Sequence, residues 1–332
     1  MAASPEMSPR ERVSAALRGE TVDRPPVSLW CHFPERDQTA ADLTAATLGW
    51  QNQFRFDLVK FMPSGDYPTI DWGAESAFQG SPNGTRQTTR FPVTAPADWE
   101  RLPALAVRQG FLGIMLEAVA QTRAALDSDV PLLQTIFSPL TIAAKLSNQL
   151  AIEHLRAHPH ELHAGLRRIT EVTREMIAAS LAAGADGLFF ATQLADFTLL
   201  DETEYREFGL AYDLQVLEAA GGSQSTMLHL HGEEPMFDLQ ARYPAETINW
   251  HDRRAAPDLA TGQRLSGRCV TGGIDERRIS TAAPEDAAAE ALSAVEALNG
   301  RSLIVAPGCV IPVATPEVAI RAVVGAVTAA TG

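Results

Sequence analysis

The sequence predicts an α/β fold, a single (β/α)8 TIM barrel spanning residues 1–332 with an N-terminal helix and an inserted hairpin. Three observations carry that expectation. Eight short β-like runs succeed one another along the 332 residues, each followed by a helical or helix-like pattern. No linker rich in Pro, Gly or Ser cuts the chain in two, and barrels commonly exceed the size at which other folds split. No Gly-x-Gly-x-x-Gly opens the first helix, which sets aside a doubly wound dinucleotide fold.

The N-terminal helix is expected over 8–20. Ser8 caps it, Pro9 suits its first turn, and Glu11 stands three residues after Ser8, while Val13, Ala16 and Leu17 form an apolar face. Gly19 and the Asp23-Arg24-Pro25-Pro26 run end it. Strands are expected over 27–33, 57–62, 131–137, 184–193, 226–231, 246–252, 268–274 and 303–306. Helices are expected after Ser138-Pro139 through Leu150, over 159–183, 202–220, 235–242, 258–262 and 284–298, and finally over 316–329. Between the second and third strands, Ser81-Pro-Asn83-Gly84 is a turn signal flanked by Thr and Arg, so a surface hairpin is expected over 78–93.

Composition narrows the function. A formal charge of −14 and a pI near 5.0 exclude a broad cationic surface for nucleic acid or anionic membrane. Acidic substrates must therefore find local cations. Three widely spaced cysteines, Cys31, Cys269 and Cys309, suit a reducing cytoplasm better than a disulfide framework. No apolar leader opens the chain and no run is long enough to span a bilayer, so a cytoplasmic protein acting on a small molecule is expected.

In such barrels the chemistry gathers at the C-terminal ends of the strands. Here those ends bring together His229, His231, His251, Asp252 and Cys309 from the fifth, sixth and eighth strands. His229 and His231 stand two apart and share a side if the segment is extended. Zinc takes nitrogen and sulfur ligands, and His229, His231 and Cys309 are the candidate set, with His251 or Asp252 as a fourth ligand, a partner that orients an imidazole, or a catalytic group. Without metal, His229 or His231 would serve as general acid or base. Trp30, His32, Arg36, Met62, Gln193 and Arg253 are the candidate substrate-binding residues. Lys60, within the second strand, is expected to pair with Asp57 or another acid if buried.

The stretch running from Arg10-Glu-Arg-Val to Asp23-Arg24-Pro25-Pro26 resembles the opening of the uroporphyrinogen decarboxylase superfamily. Pro307-Gly-Cys309-Val-Ile-Pro312 with Thr315-Pro316-Glu317 resembles its final strand and following helix, and Phe137-Ser-Pro139 and Gly184-Ala-Asp186-Gly187 resemble internal stretches. The resemblance implies a (β/α)8 barrel and enzymes of two kinds: cofactor-free decarboxylases of porphyrinogens, and zinc-dependent methyltransferases that work with methyl-corrinoid proteins. A homodimer is common among such relatives.

The decarboxylases carry an arginine pair after the first strand, where this chain has His32-Phe-Pro-Glu-Arg36, and a histidine in the last-strand motif, where this chain has Cys309. The methyltransferases resemble this chain at Cys309, and carry His-x-Cys-Gly where this chain has His229-Leu-His231-Gly232, so that His231 replaces a thiolate ligand. The chain therefore lies nearer the methyltransferase branch. The expected function is zinc-dependent transfer of a methyl group between a corrinoid, or another methyl carrier, and a small nucleophilic acceptor. A carboxy-lyase acting on a tetrapyrrole or other carboxylated substrate is the alternative, and a noncatalytic tetrapyrrole- or corrinoid-binding barrel is a further one.

Overall fold

The structure, a computed structural model, describes residues 6–221 and 225–330. The expected absence of an apolar leader rests in part on residues 1–5, outside that range. Nine strands are described: β1 Val59–Phe61, β2 Glu75–Phe78, β3 Arg86–Arg90, β4 Leu132–Phe137, β5 Gly187–Thr192, β6 Thr226–Leu230, β7 Thr247–Trp250, β8 Cys269–Ile274 and β9 Leu303–Pro307. Seven form one parallel sheet in the order β1-β4-β5-β6-β7-β8-β9. Residues of β4 to β9 are buried throughout. Parallel strands covered by helices on one side and facing a packed interior on the other read as continuous apolar runs.

The eighth stave is the segment around Val27. Val27 bridges Val305 of β9 in parallel, and the Val305 N–H donates to Pro26 O at 2.8 Å. On its other side, Asp57 N–H donates to Val27 O at 3.0 Å and Ser28 Oγ to Leu58 O at 2.7 Å. The curled sheet is thereby closed. The strand expected over 27–33 pairs regularly only at its start, because its later carbonyls are spent elsewhere. Trp50 Nε1 donates to Leu29 O at 2.9 Å and the Ile311 N–H to Trp30 O at 3.1 Å.

The helix Pro9–Leu17 carries the reciprocal Ser8–Glu11 capping box. Its Arg12 bridges Asp23 and Asp57, and Arg24 binds Asp57 as well, which locks the helix under the barrel. The hairpin is β2 paired antiparallel with β3, its turn over 79–85. Three expected helices differ. The one after Ser138 stops at Leu146, since Asn148 and Gln149 take positive φ (51° and 69°), and a second helix runs Leu150–Ala157. The segment Phe237–Arg242 is a 3-10 turn, and the helix beginning at Glu202 contains a π-helical stretch, Arg206–Leu210. No helix among the described residues is long and apolar enough to cross a membrane.

Candidate metal centre

Register places the centre. His229 of β6 lies opposite Ala191 of β5 and Asn249 of β7, and Asn249 lies opposite Thr271 of β8. His231 and His251 follow directly after β6 and β7, and Cys309 follows β9. One donor atom from each of His229, His231, His251 and Cys309 lies within 4.8 Å of all the others. His231 Nδ1 stands 3.4 Å from His229 Nε2, 3.2 Å from His251 Nε2 and 3.8 Å from Cys309 Sγ.

The hydrogen bonds behind the cluster decide which ring nitrogens carry protons. The Asn249 amide donates from Nδ2 to Thr271 O at 2.9 Å and Pro307 O at 3.1 Å, so its Oδ1 is an acceptor. His229 must then donate from Nδ1 to that oxygen, at 2.6 Å, which leaves Nε2 bare toward the cluster. Glu276 Oε1 does the same for His251, accepting from Nδ1 at 2.8 Å, while Arg254 donates to the same oxygen at 2.8 Å. Two imidazole lone pairs therefore converge on a third nitrogen and a sulfur.

Burial first, and then the neighbouring histidines, holds His229 well below the usual histidine range. Burial followed by His251 and Lys145 brings His231 down to about 4. Burial pushes the Cys309 thiol up to about 11. The bare Nε2 atoms of His229 and His251, and Nδ1 of His231 when its proton is on Nε2, present lone pairs that a cation would accept. The donor set, two or three nitrogens with one sulfur, is one that zinc takes, and the partners behind His229 and His251 orient imidazoles as they do at metal sites.

Two glycines make the approach possible. Gly232 has φ 134°, and a Cβ there would fall 1.7 Å from Asp196 Oδ2. At Gly308 a Cβ would meet His251 Cα and Trp250 O, each at 2.8 Å, so the loop carrying Cys309 lies directly against His251.

A cavity of about 260 Å3 opens beside the cluster. Trp30, His32, Met62 and Gln193 line it, and so do Asn83 and Thr85 from the hairpin turn. That turn is tied to the loop after Cys309 by the Val313 N–H bond to Pro82 O, 2.9 Å.

Arg36 and Arg253 do not line the cavity. Arg36 is exposed on the loop beyond His32, and Arg253 turns its guanidinium to Gly273 O, Glu290 O and Ser293 Oγ on the neighbouring helix. Asp252 also faces away, accepting the Gly273 N–H at 3.1 Å on both carboxylate oxygens, and burial lifts its pKa to about 7. The carboxylate at the centre comes instead from Glu276, beyond β8.

Lys60 is buried, and the acid expected to pair with it is taken: Asp57 binds Arg12 and Arg24. Sequence reasoning missed Asn249, Glu276 and Lys145, and singled out Lys60 without placing it on the cavity wall. For Asn249 the signal was a lone amide inside the apolar run of β7.

Residues 8–330 match the profile of a family described as uroporphyrinogen decarboxylase (URO-D). The chain is 25% identical over 340 residues to the methylcobamide:CoM methyltransferase MtaA of Methanosarcina barkeri, covering 97% of this chain and 98% of that one. It is 28% identical over 192 residues to the uroporphyrinogen decarboxylase of Sorangium cellulosum (strain So ce56), where the match spans 55% of this chain and about half, 54%, of that protein. Among solved structures, a methyltransferase from Methanosarcina mazei superposes with a TM-score of 0.83 at 21% identity, covering 97% of this chain and 99% of that one. That likeness shows the fold, a barrel.

Proposed function

The chain belongs to the uroporphyrinogen decarboxylase family of enzymes, and from that premise we propose that it is a zinc-dependent methyltransferase. It would move a methyl group between a corrinoid, or another methyl carrier, docked over the barrel mouth and a small nucleophilic acceptor. The observation that carries this reading is the convergence of His229, His231, His251 and Cys309, with the outer nitrogens of His229 and His251 committed to Asn249 and Glu276. His229, His231 and Cys309 would hold the metal, and His251, whose Nε2 faces the cluster, would complete the set.

Zinc held there would supply a Lewis acid that lowers the proton affinity of a bound acceptor. The chain's own part is to fix the donors and shape the cavity. Asn249 and Glu276 hold two imidazoles in the tautomer that faces inward, and Glu276, shared with Arg254, keeps its charge close to His251. Trp30, Met62 and Phe189 give the cavity apolar walls, and the hairpin turn covers one side of it. The likeness to a methylcobamide-dependent relative along nearly its whole length supports the methyl carrier. The carboxy-lyase reading loses the arginines expected to hold its substrate, because neither Arg36 nor Arg253 lines the cavity.

The test is an anaerobic assay of zinc-loaded protein with methylcobalamin and a panel of small thiols, followed by the absorbance change on demethylation of the corrinoid. Demethylation that fails in Cys309→Ala is the expected result. Loss of carboxyl groups from uroporphyrinogen, with no demethylation of the corrinoid by any acceptor, would overturn the reading.

A further inference from the structure

At the opposite end of the barrel from the metal centre, where Cys269 opens β8 and Leu303 opens β9, three segments meet around a cavity of about 750 Å3. They are the turn over 19–22, the end of the helix Leu259–Ser266 with Gly267 and Arg268, and the loop over 298–302. Gln263 Nε2 ties the second to the third, donating to Arg301 O at 3.0 Å and Ser302 O at 3.3 Å. Gly19 brings the first against them, since a Cβ there would stand 3.0 Å from Ser302 Oγ. Among the described residues, the cavity wall carries Arg264, Arg268 and Arg301 and no carboxylate. The guanidiniums bond to neutral acceptors: Arg264 to Thr261 Oγ1 at 3.3 Å, and Arg268 to Gln240 O at 3.2 Å and Tyr243 O at 3.0 Å. Asp258 feels the charge of Arg264, but its own oxygens accept from the N–H and hydroxyl of Thr261. The helices Leu259–Ser266 and Pro284–Ala297 both end here, each adding roughly half a negative charge, against one full positive charge on every arginine. In a chain of formal charge −14, where an acidic ligand must find local cations, this cavity gathers them without acids of its own.

We propose that this cavity binds a small molecule bearing a di- or triphosphate. Guanidiniums hold phosphate through paired N–H donors, and the three that line this cavity match the charge of a polyphosphate better than that of a single carboxylate. Arg301 makes no guanidinium bond among the described residues, and Arg268 gives only Nη1 to the two carbonyls, which leaves its Nε and Nη2 as donors. The volume falls within the range of small-molecule sites and exceeds what a lone phosphate needs. The metal-centre donors lie at or beyond the other ends of β6, β7 and β9, so a ligand here touches no reacting group. Its effect is on stability: it bridges the turn after the first helix to the loops that lead into β8 and β9. The inference is independent of the methyltransferase reading.

The probes are tripolyphosphate and inorganic phosphate, titrated calorimetrically at matched ionic strength into wild type, Arg301→Gln, the double variant Arg264→Gln/Arg301→Gln, Arg55→Gln and Cys309→Ala. Arg264 and Arg301 are exposed, so both substitutions leave the core untouched, and circular dichroism checks the fold. A charge-assisted bond is worth roughly tenfold in affinity. Wild type should bind tripolyphosphate saturably and at least about tenfold more tightly than phosphate, Arg301→Gln should weaken it by about that factor, and the double variant by more. Arg55 is also exposed at this end of the barrel, but on a cavity that includes Asp127, and Arg55→Gln should bind as wild type does. Cys309→Ala should also bind as wild type does, which separates this site from uptake of the anion at the metal centre. Absence of saturable binding, an equal loss in Arg55→Gln, or a loss confined to Cys309→Ala would overturn the proposal.

Discussion

His229 donates from Nδ1 to Asn249 Oδ1 at 2.6 Å, and Asn249 cannot turn its amide around because Nδ2 is already committed to the carbonyls of Thr271 and Pro307. A side chain on β7 thereby sets the tautomer of one on β6. Asn249→Leu removes the acceptor and lets the imidazole flip. Partners of this kind are worth about 10- to 100-fold in metal affinity, so zinc binding measured by competition with a chromophoric chelator should weaken by that factor while the barrel stays folded. Unchanged affinity would remove Asn249 from the account.

Glu276 plays the matching part for His251. Glu276→Gln leaves an amide where a carboxylate accepted from both His251 Nδ1 and Arg254. It should likewise lower zinc affinity by about 10-fold or more. The comparison variant is Asp252→Asn, whose carboxylate faces Gly273. That variant should leave zinc affinity unchanged, and an equal loss in both would show that carboxylate charge alone, not the bond to His251, is what matters.

Gly308 tests the approach of the Cys309 loop. A Cβ there meets backbone atoms of Trp250 and His251 that have no rotamer with which to yield. Gly308→Ala should push Sγ away from His231 and weaken the thiolate-to-metal absorption of the cobalt-substituted protein, with the far-ultraviolet spectrum unchanged. An undiminished band would show that Cys309 reaches the metal without the close approach at Gly308.

Much of this was legible in the chain because it is local. The Ser8–Glu11 cap, the hairpin turn at Asn83-Gly84 and the placement of His229, His231, His251 and Cys309 at strand ends all follow from spacing within a few residues. What was not legible depends on register between strands. That Asn249 stands opposite His229, and that Glu276 rather than Asp252 reaches His251, are consequences of β6, β7 and β8 pairing as they do. Lys60 illustrates the same limit. Asp57, three residues away, looked like its partner, but the strand carries Asp57 to the underside, where Arg12 and Arg24 bind it, and aims Lys60 into the cavity.

Lys60 also predicts a pH dependence of stability. Burial lowers its pKa from 10.5 to about 7. Between those values the unfolded chain binds more protons than the folded one, so stability rises with pH. The group's contribution is fully present above 10.5 and is lost as pH falls through about 7. Lys60→Met removes this slope, up to about 1.4 kcal/mol per pH unit. In urea unfolding of metal-free protein, the variant should be the more stable at pH 7, with its advantage shrinking toward pH 10. A constant difference across that range would show that Lys60 is charged and compensated in the folded state.

Zinc binding by the four converging donors can be measured on the protein as purified. Elemental analysis of protein purified without added metal, alongside His229→Ala and Cys309→Ala, addresses it directly. About one zinc per wild-type chain is expected at pH 7, with a marked loss in both variants. Wild-type protein free of zinc, and unable to take it up on addition, would contradict it.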